Sequence, residues 1–135
     1  MSENDTDDVR PDPALADGQR WLAESNLCAR YRLAETGKYV IELEGEIDVY
    51  TGRFLRDFLM EVMAGGYYVI CLDLDRGEFA DHTGMGVIVG QLKRCRAHDG
   101  NLTIVCSQER IRKMFHIQGL TKIINIYDTR AEALA

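Results

Sequence analysis

Apolar and polar residues alternate in the first half of the chain with the period of a half-buried β-strand. Between Leu27 and Ala34 every second residue is Leu, Ala or Tyr, which is a spacing of two. Between Tyr39 and Ile47 the apolar residues of one face oppose three glutamates on the other. Residues 35–38 supply a turn between the two runs. We therefore predict a hairpin of antiparallel strands with one solvated face.

After residue 48 the apolar spacing becomes that of helices and short buried strands. Ser107 fits the N-cap of a helix, and residues 129–132 fit a capping box that begins another. The predicted helices cover 54–63, 85–95, 111–115 and a short terminal segment, and the predicted strands cover 67–74, 102–106 and 123–127, with a loop over 75–82. The order predicts an α/β fold. Its mixed sheet combines an N-terminal antiparallel hairpin with parallel strands, and about four helices pack on it.

Charge divides the chain into two parts. Residues 1–26 carry seven acidic side chains, two basic ones and both prolines, whereas residues 27–135 carry fifteen acidic and fourteen basic ones. We predict an acidic, flexible N-terminal tail over 1–26 and one compact domain over 27–135. Most of the net charge of −6 then belongs to the tail. Such acidity disfavours electrostatic binding to phosphate backbones.

The N-terminus and the cysteines indicate where the protein resides. The chain begins with an acidic stretch where a signal peptide would be basic and then apolar, and it contains no run of about eighteen apolar residues. Its four cysteines lie 43, 24 and 11 positions apart, which is not the spacing of a metal-binding motif. We expect a cytoplasmic protein that does not bind membranes and whose cysteines are buried, reduced thiols.

Carboxylates follow the predicted central strand, at the edge where open α/β sheets place their sites. Carboxylates are ligands that Mg²⁺ accepts, but no phosphate-binding glycine loop accompanies them here. An acid, a base and a hydroxyl also stand side by side over 81–83, but adjacent residues point in different directions and do not form a catalytic triad. We predict no metal, no cofactor and no enzymatic activity. The four carboxylates are Asp73, Asp75, Glu78 and Asp81, and we interpret the first two as residues that end the strand and cap its loop.

Segment 79–89 places polar residues and two glycines where a loop enters a helix. Backbone N–H groups at a helix entrance carry partial positive charge and suit an anion. The glycines, Gly84 and Gly86, are equally suited to close packing of the helix on the sheet. Both interpretations stay open.

Four motifs, in order along the chain, resemble those of one family. Gly45–Asp48 is similar to G-x-[LI]-D, 69–74 to a buried strand that ends in D-[LM], Asp81–Gly86 to D-S-[ST]-G-[LM]-G, and 118–120 to T-G-L with Gln in place of Thr. On these motifs, residues 27–135 resemble the STAS domain of bacterial anti-sigma factor antagonists. Three further stretches are most similar to the developmental antagonists of filamentous actinobacteria: 45–51, 92–98 and 105–110.

The resemblance implies regulation of transcription by partner switching. Unmodified family members bind an anti-sigma factor, commonly a histidine-kinase-like ATPase that acts as a Ser/Thr kinase, and so release a sigma factor. Phosphorylation of the serine after the signature aspartate breaks that complex, because the phosphate adds negative charge at the helix entrance. The resemblance implies a partner-binding surface at Asp48, Asp81, His82, Thr83, Gly84 and Met85.

The chain departs from the family at the phosphoacceptor. The family serine corresponds to His82, which has no hydroxyl, so the candidate acceptor is the next residue, Thr83. Three interpretations stay open: an antagonist that always binds, a protein phosphorylated at Thr83, or a family member with another partner.

Two other functions are compatible with parts of the sequence. One is a STAS interaction or small-ligand-binding module of a larger signalling assembly that serine phosphorylation does not control. The other is direct nucleic-acid binding, which the absence of aromatic residues among the basic ones disfavours. The basic residues that would form such a surface are Lys93, Arg94, Arg96, Arg110, Arg112 and Lys113.

Overall fold

The computed structural model describes residues 17–23, 26–79 and 81–135. In this part of the chain the strands are β1 (Asp17–Ala23), β2 (Leu27–Leu33), β3 (Tyr39–Ile47), β4 (Val69–Phe79), β5 (Asn101–Val105) and β6 (Ile126–Tyr127). The helices are α1 (Gly52–Ala64), α2 (Thr83–Ala97), α3 (Glu109–Ile117) and α4 (Arg130–Leu134), with a 3₁₀ turn at Leu120–Lys122.

The strands form one sheet in sequential order from β1 to β6. β1, β2 and β3 are antiparallel neighbours, and β3 to β6 run parallel. This confirms the predicted α/β fold with a mixed sheet. The ends of β3, β4 and β5 therefore meet at one edge, which we call the carboxyl edge, and α1, α2 and α3 all begin there.

The two faces of the sheet are covered unequally. Apolar residues of α1, α2 and α3 join the larger core cluster, together with Ile70, Leu72 and Leu74 of β4. Cys71, between them in β4, points to the other face and packs with Ala133 of α4 in a second cluster. Strand alternation explains this division, because neighbouring residues of a strand face opposite sides.

Part of the predicted tail is a strand. β1 pairs antiparallel with β2, from Asp17 opposite Arg32 to Ala23 opposite Leu27. The side chain of Arg20 reaches α1, where its guanidinium donates to both carboxylate oxygens of Glu61 at 2.9 and 3.1 Å. The prediction of a tail over 1–26 is therefore wrong for residues 17–23. Residues 1–16, 24 and 25 lie outside the described residues.

The central strand continues beyond its predicted end. The sequence predicts a loop over 75–82, but β4 extends to Phe79. Gly77 and Phe79 are buried while Arg76 and Glu78 are exposed. This is the alternation of a strand with one solvated face. The sequence predicts a loop here because the residues on that solvated face are charged.

The ends of two later elements also differ from expectation. Residue 107 does not cap α3, because the N-cap position belongs to Gln108 and the hydroxyl of Ser107 donates to Asp75 Oδ1 at 3.0 Å. β6 is shorter than the predicted 123–127. The capping box is confirmed: the backbone N–H of Glu132 donates to Thr129 Oγ1, and the N–H of Thr129 donates to Glu132 Oε1.

The cysteines are free and buried, as predicted. Burial raises the pKa of the Cys95 thiol to about 11, which keeps that thiol protonated at neutral pH. Within the described residues, no helix is both long and apolar enough to cross a membrane.

Candidate functional site

Two loops meet at the carboxyl edge, one between β3 and α1 and one between β4 and α2. Because β3 and β4 are parallel neighbours, both loops leave the sheet side by side. The helices that follow also begin in contact: a methyl group at Gly52 would lie 3.2 Å from Thr83 Cγ2. The sequence-predicted residues Asp48 and Asp81–Thr83 are therefore brought together.

Asp48 organises the first loop. Its Oδ1 accepts hydrogen bonds from the backbone N–H groups of Tyr50 at 2.8 Å and Thr51 at 2.9 Å. The buried hydroxyl of Thr51 donates to the carbonyl of Glu46 and accepts from the N–H of Asp48. These bonds hold a tight turn, which leaves residues between Asp48 and Thr51 on its outer side.

The conformation of Gly45 explains the glycine at the start of the first motif. Gly45 has a φ of 124°, a conformation that L side chains rarely adopt. A methyl group there would overlap the carbonyl oxygen of Asn26, which accepts the N–H of Glu46 at 2.9 Å. The motif glycine therefore serves the fold rather than a partner.

Asp81 connects the second loop to the first. Its Oδ1 accepts the backbone N–H of Thr83 at 2.8 Å. Hydrogen bonds from the N–H and then the hydroxyl of Thr83 lower the pKa of Asp81, and the backbone N–H of Val49 contributes further. Asp81 is therefore an ionised carboxylate at neutral pH, placed beside an exposed hydroxyl.

The four residues after Asp81 divide into two exposed and two buried ones. His82 is the exposed N-cap residue of α2, its side chain makes no capping hydrogen bond, and Thr83 is also exposed. Gly84 is buried, and a methyl group there would overlap Ile47. Met85 is only 2 % exposed.

These positions correct the predicted partner surface. The side chain of Met85 is not available as a partner contact, because it lies in the core. At Gly84 the packing interpretation is confirmed, since α2 sits too close to β3 and β4 for a larger residue. At Gly86 an added methyl group would meet nothing within 4 Å, so packing does not require a glycine there.

Two exposed apolar residues beside this site were missed. Val49 and Tyr50, in the turn that Asp48 holds, are 61 % and 78 % exposed. Phe54, one turn into α1, is also partly exposed, with the guanidinium of Arg53 5.0 Å from its ring centroid. Adjacent apolar residues at the tip of a turn indicate a binding surface. The one signal in the sequence is their position directly after Asp48, a residue that favours turns, since apolar spacing alone does not show which way they point.

The carboxylates of β4 have structural partners. Asp73 Oδ2 accepts from Arg130 Nε at 2.6 Å, and Asp75 Oδ1 accepts from the N–H and hydroxyl of Ser107 at 2.6 and 3.0 Å. Both lie within the strand rather than at its end. No group of three or more His, Cys, Asp or Glu side chains that could hold a metal ion occurs in the described ranges.

The predicted basic residues do not form one patch. α2 and α3 both begin at the carboxyl edge, so the basic residues late in α2 and those early in α3 lie at opposite ends of their helices. Arg96 Nη2 donates to the carbonyl of Ile123 at 2.6 Å. Arg112 donates to the carbonyl of Cys106 and to the carboxylate of Asp128. The single basic surface that nucleic-acid binding would need is absent from the described residues.

The sequential mixed sheet and the paired loops at its carboxyl edge define a small α/β domain with an exposed loop surface. The STAS domain model matches residues 32–133, and the chain belongs to the STAS domain family. It is 34% identical, over 88 residues, to the anti-sigma-B factor antagonist of Staphylococcus epidermidis; the match covers 65% of this chain and 82% of that protein.

Solved structures share this fold. A putative anti-sigma factor antagonist from Thermotoga maritima is 26% identical with a TM-score of 0.69, over 78% of this chain and 91% of that one. An anti-sigma factor antagonist from Mycobacterium paratuberculosis has a TM-score of 0.73 at 24% identity, over 83% of this chain and 94% of that one. The second likeness shows the fold alone.

Proposed function

We propose that this protein is an anti-sigma factor antagonist, a regulatory binding protein and not an enzyme. It binds an anti-sigma factor and thereby releases a sigma factor. The proposal is supported by the 34% identity to the anti-sigma-B factor antagonist. One observation locates the proposed binding site: the exposed apolar residues Val49 and Tyr50 lie beside the exposed start of α2.

The docking surface in this proposal consists of Val49, Tyr50, Asp81, His82 and Thr83, and we call it the helix-entrance surface. Burying an apolar side chain of this size against a partner stabilises a complex by about 1.5–3 kcal/mol. Tyrosine is enriched among the residues that contribute most to binding. The polar residues around the pair set orientation, because a buried carboxylate needs a hydrogen-bonding or cationic partner.

The proposed partner is an anti-sigma factor of the histidine-kinase-like ATPase type, and the proposed acceptor of its phosphate is Thr83. The hydroxyl of Thr83 is exposed at the first position of α2, while His82 offers none. A phosphate adds about −1.5 to −2 charges. It would stand beside the ionised carboxylate of Asp81, so the modified surface repels any partner that accommodates one negative charge there.

The proposal is tested by adding the full chain to a purified ATPase-type anti-sigma factor from the same organism. Calorimetry should show a one-to-one complex. Adding the chain to a transcription reaction inhibited by that anti-sigma factor should restore sigma-dependent transcript. Binding without restored transcription would contradict antagonist function. Absence of binding to each such anti-sigma factor of the organism would contradict the proposed partner.

A further inference from the structure

A groove lies between α3 and β6, at the opposite end of the sheet from β1. Its volume is about 1130 Å³. This exceeds the roughly 300–1000 Å³ of pockets that enclose small molecules. α3 contributes one wall and residues 124–127, which include β6, contribute the other. The groove is therefore large enough to hold a segment of a protein chain, and it lies at the edge of the sheet.

Within the described residues, no further strand pairs with the outer edge of β6, which faces this groove. The carbonyls of Asn125 and Tyr127 accept the N–H groups of Ile104 and Cys106 of the β5 side at 2.9 Å. Because successive residues of a strand direct their backbone groups to opposite sides, Ile126 directs its N–H and C=O away from β5. An extended peptide can pair with such an edge.

The α3 wall is basic. Arg110, Arg112, Lys113 and His116 line it, with Glu109 as the one acidic residue among the lining side chains. Arg112 is engaged by Asp128. Arg110 and Lys113 are exposed, and neither forms an ion pair within the part of the chain that the structure describes. Two cationic side chains are thus available to a ligand.

We propose that this groove binds an extended acidic segment of a partner protein. The segment adds to β6 as a further strand through the backbone of Ile126, and its carboxylates face Arg110 and Lys113. Acidic residues at alternate positions satisfy both requirements, because every second side chain of a strand points to the same face. This interaction is separate from the helix-entrance surface and goes beyond the proposed function.

The test uses a labelled, acetylated peptide of alternating glutamate and valine, and a second peptide with a central proline. The full chain is compared with an Arg110→Glu, Lys113→Glu variant and with the matched control Lys93→Glu, Arg94→Glu, which reverses two exposed charges on α2. Fluorescence anisotropy measures affinity, and hydrogen exchange measures the Ile126 amide.

Wild type and the α2 control should bind the peptide equally. The groove variant should bind it at least about tenfold more weakly, because reversing Arg110 and Lys113 replaces attraction to the acidic peptide with repulsion. The central proline should weaken binding similarly, because proline has no N–H to pair. The bound peptide should slow exchange at Ile126. Hydrogen exchange at Ile126 in the wild-type complex tests strand addition even if the groove variant does not fold.

Three results would overturn the proposal. Equal binding by the groove variant and the control would show that Arg110 and Lys113 do not contribute to peptide binding. Unchanged exchange at Ile126 in the saturated complex would exclude strand addition. Displacement of the peptide by an equal concentration of inorganic phosphate would identify the groove as a small-anion site instead.

Discussion

The carboxylate of Asp81 accepts the backbone N–H of Thr83, two residues further along the chain, at 2.8 Å. Together with this bond, the threonine hydroxyl and the backbone N–H of Val49 lower the pKa of Asp81. One ionised group therefore fixes the start of α2, links the two loops and adjoins the proposed phosphate acceptor. Any modification of Thr83 acts directly on that group.

Stability should depend on pH through Asp81. Its pKa is lowered in the folded protein, so the stabilisation is fully present above the unfolded-state pKa of about 3.9 and is lost as pH falls through the lower folded-state pKa. Asp81→Asn should be less stable than wild type in urea unfolding at pH 7, and the difference should shrink below about pH 4. A difference that persists unchanged in acid would contradict the role of the charge. Glu35→Gln, an exposed turn residue, serves as control.

Phosphorylation should occur at Thr83. After incubation with the anti-sigma factor and ATP, intact-mass measurement should show one added phosphate on wild type and none on Thr83→Ala. Thr83→Glu should lose affinity for the anti-sigma factor, whereas Thr83→Ser should retain both binding and phosphorylation. A phosphate that persists in Thr83→Ala would place the modification elsewhere. An unmodified wild type would indicate an antagonist that always binds.

Two glycines in the same turn of α2 should respond oppositely to alanine. Gly84→Ala should destabilise the fold by about 1–3 kcal/mol, because the methyl group overlaps Ile47 and lies 2.7 Å from Phe79 Cε1. Gly86→Ala should be neutral or stabilise by up to about 1 kcal/mol, since the methyl group meets nothing within 4 Å and alanine favours a helix. Urea unfolding measures both. A smaller loss for Gly84→Ala than for Gly86→Ala would contradict the packing.

The ion pair between β4 and α4 should contribute to stability. Asp73 is only 6 % exposed. Its partner Arg130 also donates through Nη2 to Glu42 Oε2 at 3.1 Å. Arg130→Met should cost about 1–3 kcal/mol, because it leaves a nearly buried carboxylate without its cation. Arg56→Met, which removes a solvent-exposed pair, should change stability by less than about 0.5 kcal/mol. Equal effects of the two substitutions in thermal or urea unfolding would contradict this role.

The sequence predicted those elements whose burial shows as a regular apolar pattern. The hairpin, the helices and the order of the parallel strands were of this kind. β1 was missed because an edge strand buries little. Arg20 of β1 pairs with Glu61 of α1, which lies 41 positions further along the chain, and no local sequence pattern reveals such a contact. The end of β4 was missed because charged residues on a solvated strand face resemble a loop.

The sequence predicted where the candidate site residues lie in the fold, but not which of their side chains are exposed. The motif located Asp81, His82 and Thr83 at the helix entrance, which the structure confirms. Spacing alone did not reveal that Met85 turns into the core. It also did not reveal that Val49 and Tyr50 point outward, because their exposure depends on the turn that the Asp48 carboxylate holds.

Affinity for the anti-sigma factor tests the central claim most directly. Calorimetry should compare wild type with a Val49→Ser, Tyr50→Ala variant and with Ile117→Ala, a matched control whose isoleucine is 69 % exposed at the far end of α3. The claim predicts wild-type affinity for Ile117→Ala and a loss of at least about tenfold for the paired variant, the size expected for two buried apolar contacts. Unchanged affinity in the paired variant, with its fold intact, would show that the partner binds elsewhere than the helix-entrance surface.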